Sequence, residues 1–301
     1  MSVRPWCVCV PARDEAARLP ILLDALAAQD VPGPVPLALC VNNSRDNGAE
    51  IARRHPACTA GRIVLLLDEC TLPADAAHVG TARGRAMDAG LRLVGDDGVL
   101  LATDADCRPP PTWVSATLAA IARGADLVGG RIEIDEAEPL APDLVRIRHR
   151  LDHYWAAVRA IEDAVDPQPH DPPPRHGDHT GASLAIVGRL YRAAGGVPAL
   201  SCGEDRALVA AAVALGGRLV HPPSVWTRTS PRRDGRAPGG MAAALADWQA
   251  TLASRGEVMV PHLDHWRRRA AWRAASRPTL GAALATHEAA LPPMPCDTAL
   301  T

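Results

Sequence analysis

Two carboxylates one residue apart give the strongest chemical signal in this chain. The stretch Val99-Leu100-Leu101-Ala102-Thr103-Asp104-Ala105-Asp106-Cys107 begins as a buried strand would and ends abruptly in acids. Carboxylates in that place commonly hold a divalent metal against phosphates, because Mg²⁺ takes one or two carboxylates plus phosphate oxygens rather than a full protein cage. The substrate implied is phosphorylated or nucleotide-linked. Three other apolar runs end in polar groups: Pro11-Ala12-Arg13-Asp14-Glu15, Asn42-Asn43-Ser44 and Asp68-Glu69. Each alone reads equally well as a helix cap or turn. Together they suit a ligand rim, since open α/β sheets bind beyond the carboxyl ends of their strands.

The elements that must position these groups alternate. Strand signals at 6–10, 37–41, 63–67 and 99–103 are separated by helical spacing at 15–28, 48–55 and 80–94. Repeated βα units predict an α/β fold with a mostly parallel central sheet flanked by helices. Beyond Asp106, helices are predicted at 112–123, 142–165, 181–194 and 204–215, with strands at 126–134, 218–221 and 225–229. Residues 167–179 hold five prolines and three histidines and read as a lid or binding loop. Residues 230–240 form a Gly/Arg/Pro loop. From 241 onward the pattern is a helical C-terminal extension with a Pro-rich tail after 291.

Composition excludes several chemistries. The chain contains no lysine, so all 32 basic residues are arginine. That removes a Walker-type phosphate loop, a pyridoxal Schiff base and a kinase lysine. A formal net charge of −2 supplies no general attraction for nucleic acid. No apolar run is long enough to span a bilayer and no secretory-type segment precedes the first strand, so a cytoplasmic location is expected. The eight cysteines are scattered with no C-x-x-C pair, which predicts reduced thiols.

The motifs in order resemble the family 2 glycosyltransferases, which have a GT-A fold. Val8-Cys9-Val10-Pro11-Ala12-Arg13-Asp14-Glu15 is similar to that family's first strand and V-P-x-x-N-E turn. Leu39-Cys40-Val41-Asn42-Asn43-Ser44 resembles its second strand, and Gly80-Thr81-Ala82-Arg83-Gly84-Arg85-Ala86 its Ala-Arg helix start. Asp104-Ala105-Asp106 fits its D-x-D metal motif. The segment 181–196, closing on Gly195-Gly196, resembles an acceptor-side segment, and Gly203-Glu204-Asp205 fits the E-D pair. The likeness spans about residues 5–240. Three positions depart from it: Asp14 stands where Asn is usual, and Asn42 and Asn43 replace acids.

The resemblance implies a nucleotide-binding half at about 1–107, an acceptor half at about 108–240 and the extension at 241–301. It implies transfer of a sugar from a nucleotide-diphosphate donor to an acceptor hydroxyl, assisted by Mg²⁺ or Mn²⁺. Pro11, Ala12, Arg13, Glu15, Asn43, Arg83, Asp104 and Ala105 would then face the donor. Asp106 would ligate the metal, Asp104 would reach it or the ribose, and His221 would be a further ligand. Asp205 would be the base, with Glu204 touching the acceptor or orienting its loop. His179, Arg232, Arg233 and Arg236 would close on the diphosphate or the acceptor. A nucleotidyltransferase shares such a sheet but wants a Gly-rich first loop and a lysine. A catalytically silent nucleotide-sugar-binding protein is the remaining alternative. Dinucleotide enzymes need glycines after the first strand, and Pro11-Ala12-Arg13 supplies none.

Overall fold

The computed structural model describes residues 4–300 except 234, 236–238 and 255. Its elements run β1 (Trp6–Ala12), α1 (Leu19–Ala27), β2 (Val35–Asn42), α2 (Gly48–Arg54), α3 (Pro56–Thr59), β3 (Ile63–Cys70), α4 (Val79–Val94), β4 (Val99–Ala102) and β5 (Cys107–Arg108). There follow α5 (Trp113–Ala122), β6 (Leu127–Gly129), β7 (Arg131–Ile134), α6 (Pro142–Val165), β8 (Leu184–Val187), α7 (Gly188–Ala193), α8 (Glu204–Ala214), β9 (Leu219–Val220) and β10 (Trp226–Thr229). The chain closes with α9 (Met241–Ala253), β11 (Met259–Val260), α10 (Leu263–Leu280), α11 (Leu284–Ala289) and β12 (Thr298–Ala299). Two compact units result. One runs to Asp135 and resumes over Asp178–Ser230; the other combines Glu136–Gly177 with the chain from Pro231.

The first unit is built on a seven-stranded sheet in the order β3-β2-β1-β4-β8-β6-β9. The pairs from β3 to β4 are parallel, and β8 lies antiparallel to both its neighbours. Strands covered on both faces read as continuous apolar runs, and here alternate residues feed two cores. Val8 and Val10 point to the layer of α1, α2 and α5, with Leu22, Leu26, Ala52 and Trp113. Cys7 and Cys9 point to the layer of α4, α7 and α8, with Met87, Tyr191 and Leu208. The antiparallel β8 matters for the site. Its first residue, Leu184, pairs with Ala102 at the end of β4 and with Gly129 at the end of β6. The segment entering β8 therefore meets the carboxyl ends of the parallel strands on one rim. A three-stranded sheet, β5-β10-β7, continues from that rim, and Ser230 N–H donates to the Asp106 carbonyl at 3.1 Å.

The second unit packs Ile147 of α6 with Val260 and Leu300, beside Tyr154 and Trp248. Arg273 and Arg277 of α10 pair with Asp166, and Arg273 also takes Glu162 and Glu288. Among the described residues, no helix is long and apolar enough to cross a membrane.

Three predicted elements differ. The helix expected at 181–194 splits into β8 and the short α7. Leu184-Ala185-Ile186-Val187 is fully buried mid-sheet, and a four-residue apolar run carries no periodicity that separates strand from helix. The strand expected at 126–134 is two strands in different sheets, breaking at Gly130. A Cβ there would lie 1.9 Å from Ser183 Oγ and 2.7 Å from Ser183 Cβ, so the Ser183 side chain fills the space a larger residue would need. Asp68 and Glu69 lie within β3, because β2 offers an eight-residue ladder that carries the strand to Cys70.

Helix α4 approaches the sheet closely at Gly90, where a Cβ would stand 2.7 Å from Cys9 Sγ and 3.1 Å from Leu100 Cδ2. Gly90→Val should therefore destabilise the protein by about 1–3 kcal/mol through overpacking. The readout is the urea midpoint at unchanged m; an unshifted midpoint would contradict this packing.

Candidate active site

The rim begins where β4 stops. Thr103 is fully buried and its hydroxyl donates to the Ala182 carbonyl at 2.8 Å, stapling β4 to the segment entering β8. Cys107 N–H then donates to the Asp104 carbonyl at 3.1 Å, closing a turn that buries Ala105 and leaves Asp104 and Asp106 partly exposed. One carboxylate oxygen from each aspartate and the Cys107 sulfur lie within 4.8 Å of one another. Burial, and next the charges of Asp104 and Asp106, push the Cys107 thiol well above its ordinary range. The thiol stays protonated, and the donor set is two hard oxygens on an accessible turn. That chemistry fits Mg²⁺ or Mn²⁺ rather than a thiophilic ion.

Behind Asp104 sits Arg83, only 3% exposed. Its helix, α4, opens at His78, whose Nδ1 accepts from Thr81 N–H at 3.4 Å. The Arg83 guanidinium is bonded on three sides: Nη2 to Asp104 Oδ1 at 2.8 Å, Nε to Glu204 Oε1 at 3.0 Å, and Nη1 to the Gly181 carbonyl at 2.9 Å. Desolvation pulls its pKa down, but Asp104 and then Glu204 outweigh that and hold it above the ordinary value. Position 181 must be glycine, since a Cβ would fall 2.3 Å from the guanidinium carbon. Arg83 was expected to contact donor directly; in the structure these three bonds all go to protein acceptors.

Gly181 continues the network. Its N–H donates to Asp205 Oδ2 at 2.6 Å, while Arg206 N–H donates to Asp205 Oδ1 at 2.7 Å. Helix α8 starts from Gly203 at φ +75°, in the left-handed region that glycine favours. That start turns Glu204 inward, where it is buried, and leaves Asp205 half-buried at the rim. Arg83, Asp104, Glu204 and Asp205, far apart in sequence, are thus one hydrogen-bonded cluster.

The first two strand ends form the neighbouring part of the rim. Pro11, Ala12 and Glu15 are buried, and Arg13 Nη1 donates to the Ala77 carbonyl at 3.1 Å. Asp14 and Asn43 both have positive φ, 52° and 49°, which these residue types tolerate. Asp14 N–H donates to Ser44 Oγ and Asp14 Oδ1 accepts from Arg45 N–H, locking the two turns together. The Asn43 amide pairs with the Leu72 backbone in both directions, at 2.9 and 3.0 Å. It was expected to face a nucleotide base, and here it braces the chain leaving β3.

His221 follows β9 and is buried; its Nε2 lies 3.1 Å from His179 Nδ1, so the two rings share a hydrogen bond. These two are brought together. Arg232 is half-buried and Arg233 exposed, both in the second unit, and Arg236 lies outside the described residues. Sequence reasoning missed Gly181, which serves both Arg83 and Asp205. The only signal available was a glycine between polar and apolar runs.

Comparison with known proteins adds three findings. The sequence profile described as "Glycosyl transferase family 2" matches residues 7–157. No curated protein matches the chain by sequence. Among solved structures, TarS 1-349 from S. aureus in complex with UDP-GlcNAc is similar over 91% of this chain and 72% of its own, at 13% identity and a TM-score of 0.56. The mannosyltransferase PcManGT from Pyrobaculum calidifontis, in complex with GDP-Man and Mn2+, is similar over 95% of this chain and 80% of its own, at 21% identity and a TM-score of 0.53. At these identities the likeness is one of fold, and it places the seven-stranded sheet with its flanking helices among GT-A transferases.

Removing one partner of a buried ion pair strands the other charge. Arg83→Met should therefore cost about 3–5 kcal/mol in urea unfolding, because it leaves Glu204 buried without its cation. Asp104→Asn should cost far less, its side chain being 34% exposed. Equal losses in the two variants would contradict this arrangement.

Proposed function

Because the chain belongs to glycosyl transferase family 2 and so moves a sugar from a nucleotide-sugar donor, we propose that the transfer is metal-assisted, ends on an acceptor hydroxyl, and uses Asp205 as the base. The observation that carries this reading is the continuous chain Asp104–Arg83–Gly181–Asp205, which couples the paired acids to the E-D pair through hydrogen bonds of 2.6–2.9 Å. Two groups needed at opposite ends of one displacement, leaving group and incoming hydroxyl, are held in fixed relation through a buried cation.

Asp106 and Asp104 would hold the divalent ion, whose positive charge offsets the charge that grows on the leaving diphosphate. The likeness of fold to a mannosyltransferase solved with GDP-Man and Mn2+ supports that assignment. Asp205 has two carboxylate oxygens, each accepting one backbone N–H. An ionised carboxylate offers about four acceptor sites, so capacity remains to take the acceptor's proton in a single, inverting displacement. Glu204 is buried against Arg83 and acts by holding the turn rather than by touching acceptor. The donor side is drawn from residues 1–107 and the acceptor side from 108–240, with a UDP- or GDP-sugar as donor.

A thermal-shift screen of UDP-, GDP- and dTDP-sugars with and without Mg²⁺ or Mn²⁺ tests this. Ligand binding to the native state at a hundredfold excess over Kd adds about 2.7 kcal/mol of stability. One donor should raise Tm only with metal, and Asp106→Asn should abolish the shift. Asp205→Asn should keep the shift and lose transfer. A donor shift independent of metal would overturn the metal role, and transfer retained in Asp205→Asn would remove it as base. Metal-dependent binding with no turnover of any hydroxyl acceptor would indicate a donor-binding protein instead.

A further inference from the structure

The glycosyl-transfer reading leaves the thiols unused, and several gather on one face of the sheet. Cys7, Cys9 and Cys40 are buried beneath α4, with Cys70 packed against the same cluster. Cys40 of β2 is in register with Asp68 of β3, and Cys70 lies two residues further along β3. Side chains two apart on a strand share a face, so Cys40, Asp68 and Cys70 converge. One ligand atom from each, two sulfurs and a carboxylate oxygen, lies within 4.8 Å of the other two. Cys40 is buried while Asp68 and Cys70 are half-buried, so the cluster is reached from solvent at the rim. All three residues are distinct from the Asp104–Asp106 turn, and every cysteine here is free.

We propose that Cys40, Cys70 and Asp68 form a second metal site, selective for a thiophilic divalent ion of the zinc class. Zinc takes cysteine sulfur and aspartate oxygen in tetrahedral geometry, and three protein ligands leave the fourth position to water. Soft sulfurs discriminate against Mg²⁺, which suits the all-oxygen pair at Asp104 and Asp106. Charge also balances. Two thiolates and a carboxylate carry three negative charges, met by the divalent ion and by Arg85. The Arg85 guanidinium already grips Asp68 through Nε and Nη2 at 2.7 and 3.0 Å. It is placed as the outer partner that orients a ligating carboxylate. Without metal, burial and then the neighbouring Cys70 and Asp68 charges push the Cys40 thiol up. The two thiol protons leave as the ion binds. The site backs onto the nucleotide-side turn, since Asn43 N–H donates to the Cys70 carbonyl at 2.9 Å.

The test is Cd²⁺ titration of the reduced full-length protein, read by the ultraviolet sulfur-to-cadmium charge-transfer band, to which carboxylate sites contribute nothing. The band should saturate near about one equivalent, be reversed by excess Zn²⁺ and be insensitive to Mg²⁺. Cys70→Ser, at a half-buried position, should reduce the band to about half or less by removing one of two thiolates. Asp106→Asn should leave it unchanged. No band in the reduced protein, or a full band in Cys70→Ser, would overturn the proposal. Loss of the band in Asp106→Asn would overturn the separation of the two sites.

Discussion

A buried cation must be neutralised, and how Arg83 is neutralised organises the rest of the rim. Its guanidinium takes one carboxylate from the turn after β4, one from the first turn of α8, and the carbonyl that precedes β8. Arginine suits this place because its planar fork reaches several acceptors at fixed angles, where a lysine would offer a single point charge. The cost of desolvating Arg83 and Glu204 is met only while the two stay paired. Each element that supplies an acceptor is therefore held to the others, and Asp104 and Asp205 are held with them.

The sheet makes this convergence possible. Parallel strands β1 to β4 deliver their carboxyl ends to one edge, and the antiparallel β8 brings its entering segment to that edge as well. Glycine permits the final approach at 181, beside Arg83, and at 130, beside Ser183. The same edge carries two donor sets of opposite character. The oxygen pair after β4 suits a hard ion facing phosphates; the sulfur-rich set at β2 and β3 suits a soft one.

Much of this was legible in the residues themselves. The β-α alternation, the long helix α6 and the paired acids at a strand end all follow from pattern and spacing. The segment 184–187 did not, because burial in the sheet decides strand over helix and periodicity over four residues cannot. The partners of Arg83 were not legible either: its spacing places it on a helix, but only the tertiary register brings Glu204 and Gly181 to it. The bracing of Asn43 was not legible either, since its amide exchanges hydrogen bonds with the Leu72 backbone, 29 residues away in sequence. The Cys40–Cys70 pair is invisible as a motif, since the two sit on adjacent strands with α2 and α3 between them.

The most direct measurement is anomalous diffraction from crystals grown with Mn²⁺ and a nucleoside diphosphate. A manganese peak within coordination distance of the Asp106 and Asp104 carboxylates, bridging to the diphosphate, with Arg83 still joined to Asp104 and Glu204, is the predicted result. A diphosphate bound with no manganese at those carboxylates, or bound by an Arg83 released from Asp104, would contradict it.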